Sequence, residues 1–178
     1  MLTVARSRGV GYNFFVMHSE ELKATVGKAL GRIPSGVFVL TASHGSKRDA
    51  MLASWVQQCA FDPPAVSIAV AKARPIVQLI KESKTLGLSV VPENDTMLMK
   101  KYARGIKEGE DPFAGVEITT TPGGAIVMQQ SLAWLEGQLI TTCDFGGDHD
   151  LLIARVTGGA LLHGGASFTH LRGSGFHY

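Results

Sequence analysis

Cysteine is scarce in this chain of 178 residues, which holds only Cys59 and Cys143, far apart and in no Cys-x-x-Cys pair. That argues against a disulfide framework and a structural zinc site, and two free thiols suit a reducing cytosol. Long apolar runs are missing too, none approaching the roughly 18 residues needed to span a bilayer. An excess of one charge is also lacking: 17 Lys and Arg against 15 Asp and Glu leave a net charge of +2. The basic residues are scattered, which gives little support to nucleic-acid binding. The one dense run, Lys100, Lys101, Arg104 and Lys107, is followed at once by Glu108, Glu110 and Asp111 and reads as a solvated helix face. No Gly-x-Gly-x-x-Gly links a strand to a helix and no Walker lysine motif is present, so a Rossmann unit and a P-loop are excluded. Internal repeats and low-complexity segments are absent.

What is there is ordinary globular composition, 45% hydrophobic, enough for one domain with a sizeable core. Residues 1–18 read as an N-terminal extension and 19–178 as the domain. The extension carries Arg6 and Arg8 before a short apolar part broken by Tyr12-Asn13. It makes a poor signal peptide, and Met17 is an alternative start. Ser19 can cap a helix opening on Glu20-Glu21 and ending at Gly31. Val37 to Ala42 is β-rich, His44 to Lys47 is a loop, and the stretch Ala50 to Pro64 follows as a second strand, predicting a hairpin. Ala65 to Val70 reads as a third strand and Leu86 to Val91 as a fourth. Between them Pro75 suits the first turn of a helix that buries Ile76, Val77, Leu79 and Ile80. Asn94-Asp95 can cap a further helix. Gly105 to Gly115 is a polar excursion. Ala133 to Thr142 and Leu151 to His163 flank the tight polar connection Gly146 to Asp150. Short strands with few inserted helices point to an antiparallel barrel with peripheral helices.

Ala50 to Pro64 is the most informative stretch. It passes through small and polar residues that leave the main chain approachable, then leaves regular structure at Asp62-Pro63-Pro64, where neither proline can donate to a ladder. Lys72 and Arg74 lie between a strand and the Pro75 helix. They make either a natural anion site or two exposed charges in a turn, and the residues alone leave both open. His163, His170 and His177 recur every seven residues, but glycines between them prevent a helix from gathering them on one face, so surface loop histidines are the better reading than metal ligands. Asp148-His149-Asp150 lacks a third, distant donor; His149 is better placed to touch a ligand at a barrel mouth. No Ser-His-Asp or Cys-His pair can be assigned by spacing. Nothing near Cys59 lowers its pKa, which favours packing or backbone contact over nucleophilic work.

Taken in order, these motifs resemble the flavin reductase-like family, whose fold is an FMN-binding split β-barrel. The likeness runs from Gly31-Arg32-Ile33-Pro34-Ser35-Gly36 through Ser54-Trp55-Val56-Gln57-Gln58 and Phe61-Asp62-Pro63-Pro64 to Ala69-Val70-Ala71-Lys72-Ala73-Arg74. It resumes at Gly147-Asp148-His149 and at the ending Ser174-Gly175 before His177-Tyr178. The Ser-Trp-Val-Gln-Gln and Ala-Val-Ala-Lys-x-Arg versions look most like the C-terminal flavin reductase module of multidomain flavodiiron proteins. The resemblance implies a mainly β fold, FMN (or FAD) as cofactor and NAD(P)H as co-substrate. It implies that Leu52, Ala53, Ser54 and Trp55 approach the ribityl chain and phosphate, that Gln58, Cys59 and Ala60 face the isoalloxazine, and that Lys72 and Arg74 bind phosphate. His149 would stand near the ring and nicotinamide as the catalytic candidate. Ser89, where an Asn is common, would keep a weakened flavin contact, and Ala154, where a Gly is common, would narrow the space beside its strand.

The expected function is an NAD(P)H-dependent flavin reductase. The cofactor carries the hydride chemistry, which accounts for the lack of an acid–base constellation. A homodimer with flavin near the interface is expected, with Trp134 and Phe113 as candidate interface residues or, more conservatively, core. Membrane and nucleic-acid partners are not expected, and the location is cytoplasmic. The alternatives are an FMN-binding electron-transfer module serving an acceptor protein such as a flavodiiron core, and a split barrel holding haem or no cofactor.

Overall fold

The computed structural model describes residues 20–107 and 109–176; Ser19, the rest of the N-terminal stretch and His177 fall outside them. The described residues form two compact units, residues 34–170 and residues 20–33 with 171–176. In the smaller, helix α1 (Glu20–Leu30) has acids in its first turn and Lys28 in its last, both favourable to the helix dipole. Its end is tied to the C-terminal segment: Arg172 N–H donates to the Gly31 carbonyl at 3.1 Å and Gly175 N–H to that of Gly27 at 2.6 Å.

The larger unit is built on a seven-stranded antiparallel sheet. In chain order its strands are β2 (Phe38–His44), β3 (Lys47–Ala53), β4 (Val56–Phe61), β5 (Pro64–Ala71), β6 (Thr85–Val90), β9 (Ala133–Asp144) and β10 (His149–Leu161), laid side by side as β3-β2-β6-β9-β10-β5-β4. Two short pairs accompany it, β1 (Ser35–Gly36) with β11 (Thr169–His170) and β7 (Ile118–Thr120) with β8 (Ile126–Met128). The sheet's two edges, β3 and β4, are consecutive in the chain and joined only by Ser54 and Trp55. Seven strands laid flat would separate those edges by about 29 Å, whereas a two-residue link reaches about 10 Å. The sheet must therefore roll to bring its edges toward each other, and Ala69 N–H of β5 donates to the Trp55 carbonyl at 3.0 Å as the corner enters β4. This is the antiparallel split barrel expected from the sequence.

Two apolar cores hold the roll together. One gathers Leu40, Ile68, Val70, Leu86, Leu88 and Leu152 with Ile76, Val77, Leu79 and Ile80 of helix α2 (Pro75–Ser83). The other sets Val37, Val39, Ala50 and Val91 against Leu98 and Tyr102 of helix α3 (Thr96–Ala103), with Phe113, Ile126 and Met128. Strand β2 lies between them, so it reads as a continuous apolar run instead of alternating. Each fully buried Leu or Ile contributes about 1.5–3 kcal/mol. The predicted α3 cap is present, the Asp95 carboxylate accepting from Leu98 N–H at 2.8 Å.

Two expectations are corrected. Ala50 to Pro64 is not one strand: it holds the end of β3, a two-residue corner and all of β4. Pro64 does not leave regular structure but opens β5, paired with Phe61; the first residue of a strand tolerates a proline. The β7–β8 hairpin was not foreseen.

Candidate active site

The register of β5 against β10 brings two polar turns together. His149 pairs with Ala71, so the chain leaving β5 as Lys72 meets the chain entering β10, and Lys72 N–H donates to the Asp148 carbonyl at 3.0 Å. The Lys72 ammonium donates to Asp144 Oδ1 at 2.7 Å, and the same oxygen accepts from Gly146 N–H at 2.8 Å. These bonds, that from Lys72 foremost, hold the Asp144 carboxyl below its ordinary range. His149 Nδ1 lies 2.8 Å from Asp148 Oδ1, a bond that also lowers the Asp148 carboxyl. The His149 ring is buried and packs against the half-buried Trp55 indole, centroids 4.8 Å apart and planes at 49°. Asp150 turns away from that pair to Lys81 Nζ at 3.1 Å.

The corner Ser54-Trp55 and strand β4 form the second part. The Ser54 hydroxyl is buried and has no hydrogen-bond partner, a cost of about 1–3 kcal/mol unless something else satisfies it. Because Trp55 bonds to Ala69 and pairing advances one residue at a time from Val56↔Ile68 to Gln58↔Val66, Trp55 and Gln57 point their backbone groups at β5. Val56 and Gln58 point theirs outward. Cys59 is the extra residue of a bulge between Gln58 and Ala60, bridged by Gln58 Nε2 donating to the Ala60 carbonyl at 3.2 Å. Gln57, Gln58, Cys59 and Phe61 are exposed on this edge.

Arg74 follows in the same turn, its N–H donating to the Ala71 carbonyl at 3.0 Å. It borders a cavity of about 990 Å³ lined also by Lys47, Asp49, Met51, Gln78 and Asp111. Asp49 reaches the N-terminus of α2 from β3: its carboxylate accepts from the amides of Ala50 and Ile76 and faces Arg74, although burial outweighs these and raises its pKa. The excursion walling this cavity is fastened by Arg48, which bonds Asp111 Oδ1 at 3.0 Å and stands 5.2 Å from the centre of the Phe113 ring.

Of the residues singled out in the sequence, Ser54, Trp55, Gln58, Cys59, Ala60, Lys72 and His149 thus belong to the rolled edge and the turns beside it, and Arg74 to the neighbouring cavity. Leu52 is half-buried against the α3-side core and Ala53 is buried in the other, so Ala53 offers a ligand only its backbone. Ser89 is not brought to this surface. It is wholly buried in β6, its hydroxyl accepting from Met128 N–H at 2.9 Å. Phe113 is core, not interface. Half-buried Trp134 lines a separate hollow of about 360 Å³ with Leu162 and His163. Sequence reasoning missed Asp49 and Asp144, although an Asp closing a strand before Phe-Gly-Gly is a turn signal.

Residues 30–174 match the family model described as flavin reductase like domain. The chain belongs to that family. Membership makes it an oxidoreductase domain that acts on a flavin. Among curated relatives, a putative diflavin flavoprotein A 3 of Synechocystis sp. is 39% identical over 89% of this chain and 27% of its own length. A putative diflavin flavoprotein A 6 of Nostoc sp. is 37% identical over 91% of this chain and 29% of its own. The chain therefore spans little more than a quarter of these relatives, in keeping with the expected likeness to one module of a larger flavoprotein. Among solved structures, an NADH:FAD oxidoreductase of Streptomyces globisporus superposes with a TM-score of 0.75 at 24% identity, covering 82% of this chain and 86% of that one. The styrene monooxygenase flavin reductase of Pseudomonas putida S12 gives 0.69 at 21%, covering 81% and 90%. At such identities the likeness concerns the fold. Among the described residues, no helix is long and apolar enough to cross a membrane.

Proposed function

We propose that the chain is an NAD(P)H-dependent flavin reductase that binds FMN along the Ser54–Ala60 edge with its phosphate at the Lys72–Arg74 turn. The observation that carries this reading is the orphaned Ser54 hydroxyl at the corner of a flavin reductase-like fold, beside a cationic turn. The donor set suits the cofactor: a hydroxyl for the ribityl chain, cations for a phosphate, and the outward Gln58 N–H for the polar edge of a flat ring. A bound flavin supplies the hydride-accepting chemistry, and a nicotinamide the hydride. What the chain adds is position. Gln58 N–H would stabilise negative charge developing on the ring's polar edge, and Asp148 fixes the His149 ring against Trp55 beside the site. A ring lying on exposed β4 stays half in water, and a second copy closing over this edge would dry it. A homodimer follows from that requirement.

The test is flavin binding by the Lys72→Ala, Arg74→Ala double variant. FMN affinity is expected to fall by about 10–100-fold through loss of charge-assisted bonds, with riboflavin far less affected. Unchanged FMN affinity would remove the phosphate assignment. A second reading, an FMN-bound electron-transfer module for a partner protein, is favoured by the small share of the diflavin relatives that this chain spans.

A further inference from the structure

The two cations assigned to phosphate do not stand bare. Lys72 is held by Asp144 at 2.7 Å, and Asp49 faces Arg74 while its carboxylate takes amides at the start of α2. The two acids come from different strands, β9 and β3, so each cation is countered by a separate element of the barrel. Asp144 is not a structural anchor buried in the core: its side chain is 62% exposed and that of Lys72 36%. An exposed pair of this kind adds little to stability and is weak enough for a dianionic phosphate to displace. We propose that Asp144 is a placeholder for the flavin phosphate on Lys72, so that binding proceeds by exchange of ion-pair partners and Asp144 sets how strongly the turn favours a phosphorylated flavin. This rests on the phosphate reading above. After the exchange Asp144 keeps its bond from Gly146 N–H and remains near the bound anion as a like charge, which lowers affinity for a phosphate monoester while leaving an uncharged flavin untouched.

The experiment compares FMN with riboflavin, by quenching of flavin fluorescence, on the full chain and on Asp144→Asn, Lys72→Ala and the double variant. Asparagine keeps an acceptor for Gly146 N–H, so the turn is retained. Asp144→Asn is expected to bind FMN about 3–10-fold more tightly at low salt with riboflavin changed less than about twofold, and the gain is expected to vanish in the Lys72→Ala background. If Lys72→Ala weakens FMN while Asp144→Asn weakens it too, or moves FMN and riboflavin in parallel, the placeholder role is wrong and the phosphate reading survives. If Lys72→Ala leaves FMN unchanged, both are overturned.

Discussion

Glu136 sits buried in the middle of β9, and the fold tolerates its charge because donors surround it. The Thr121 hydroxyl donates to Oε2, Gly123 N–H to the same atom at 3.0 Å and the Thr157 hydroxyl to Oε1 at 2.8 Å. These bonds, that of Thr121 first, hold its pKa below the usual glutamate range despite burial. A carboxyl with a depressed folded value stabilises the fold above its unfolded value and loses that contribution as pH falls through the folded one. Glu136→Gln places an amide NH2 against donors and is expected to cost about 1–2 kcal/mol at neutral pH. The gap to wild type should narrow well below pH 4.5. Urea midpoints at the two conditions check this; an equal gap at both would show that charge is not the cause. At this scale the sequence was readable where candidate residues lie in turns, as at Lys72 and His149. Asp144 and Asp49 escaped because their partners are set by strand register and rolling, not by spacing. The surroundings of Ser89 were likewise illegible, because a resemblance supplies a position but not its neighbours; in β6 the small hydroxyl is satisfied inside by Met128 N–H.

Among the elements, the β7–β8 hairpin depends on one residue of another strand. Gly87 in β6 leaves the space in which the Thr41 hydroxyl donates to the Ile126 carbonyl; a Cβ there would stand 2.3 Å from that carbonyl oxygen and 2.5 Å from Thr41 Oγ1. Both neighbours are fixed, so Gly87→Ala must push β8 off the sheet, at about 1–3 kcal/mol as overpacking of a close contact. Loss of hydrogen-exchange protection at Ile126 and Met128, with β9–β10 amides unchanged, is the expected signature; uniform loss across the sheet would place the effect elsewhere. The hairpin was invisible in the sequence since each strand has only three residues and the second is buried throughout, giving no alternation to read. The long elements were legible for the opposite reason: α2 carries its apolar face at helical spacing behind Pro75, and the apolar run of β2 ends at the turn about Gly45.

For the whole molecule, the decisive feature is that β3 and β4, adjacent in sequence, are opposite edges of one sheet. Rolling places the Ser54–Trp55 corner, the Lys72 turn and the Asp148–His149 turn at one end of β5 and leaves β4 as an exposed, bulged edge. Sequence patterning suggested a barrel with peripheral helices; that a single expected strand would break into both edges lies in long-range pairing, which local periodicity does not encode. Under the proposed function, the same geometry accounts for an oxidoreductase without an acid–base triad: its task would be to hold two flat rings in contact. The most direct test is anaerobic bleaching of the flavin absorbance when purified protein and FMN are mixed with NADH or NADPH. Rapid bleaching that depends on the protein, with at least one of the two nucleotides, is predicted. A flavin that binds yet stays oxidised with both, and bleaches only when a reduced partner protein is added, would contradict the reductase and establish the electron-transfer module in its place.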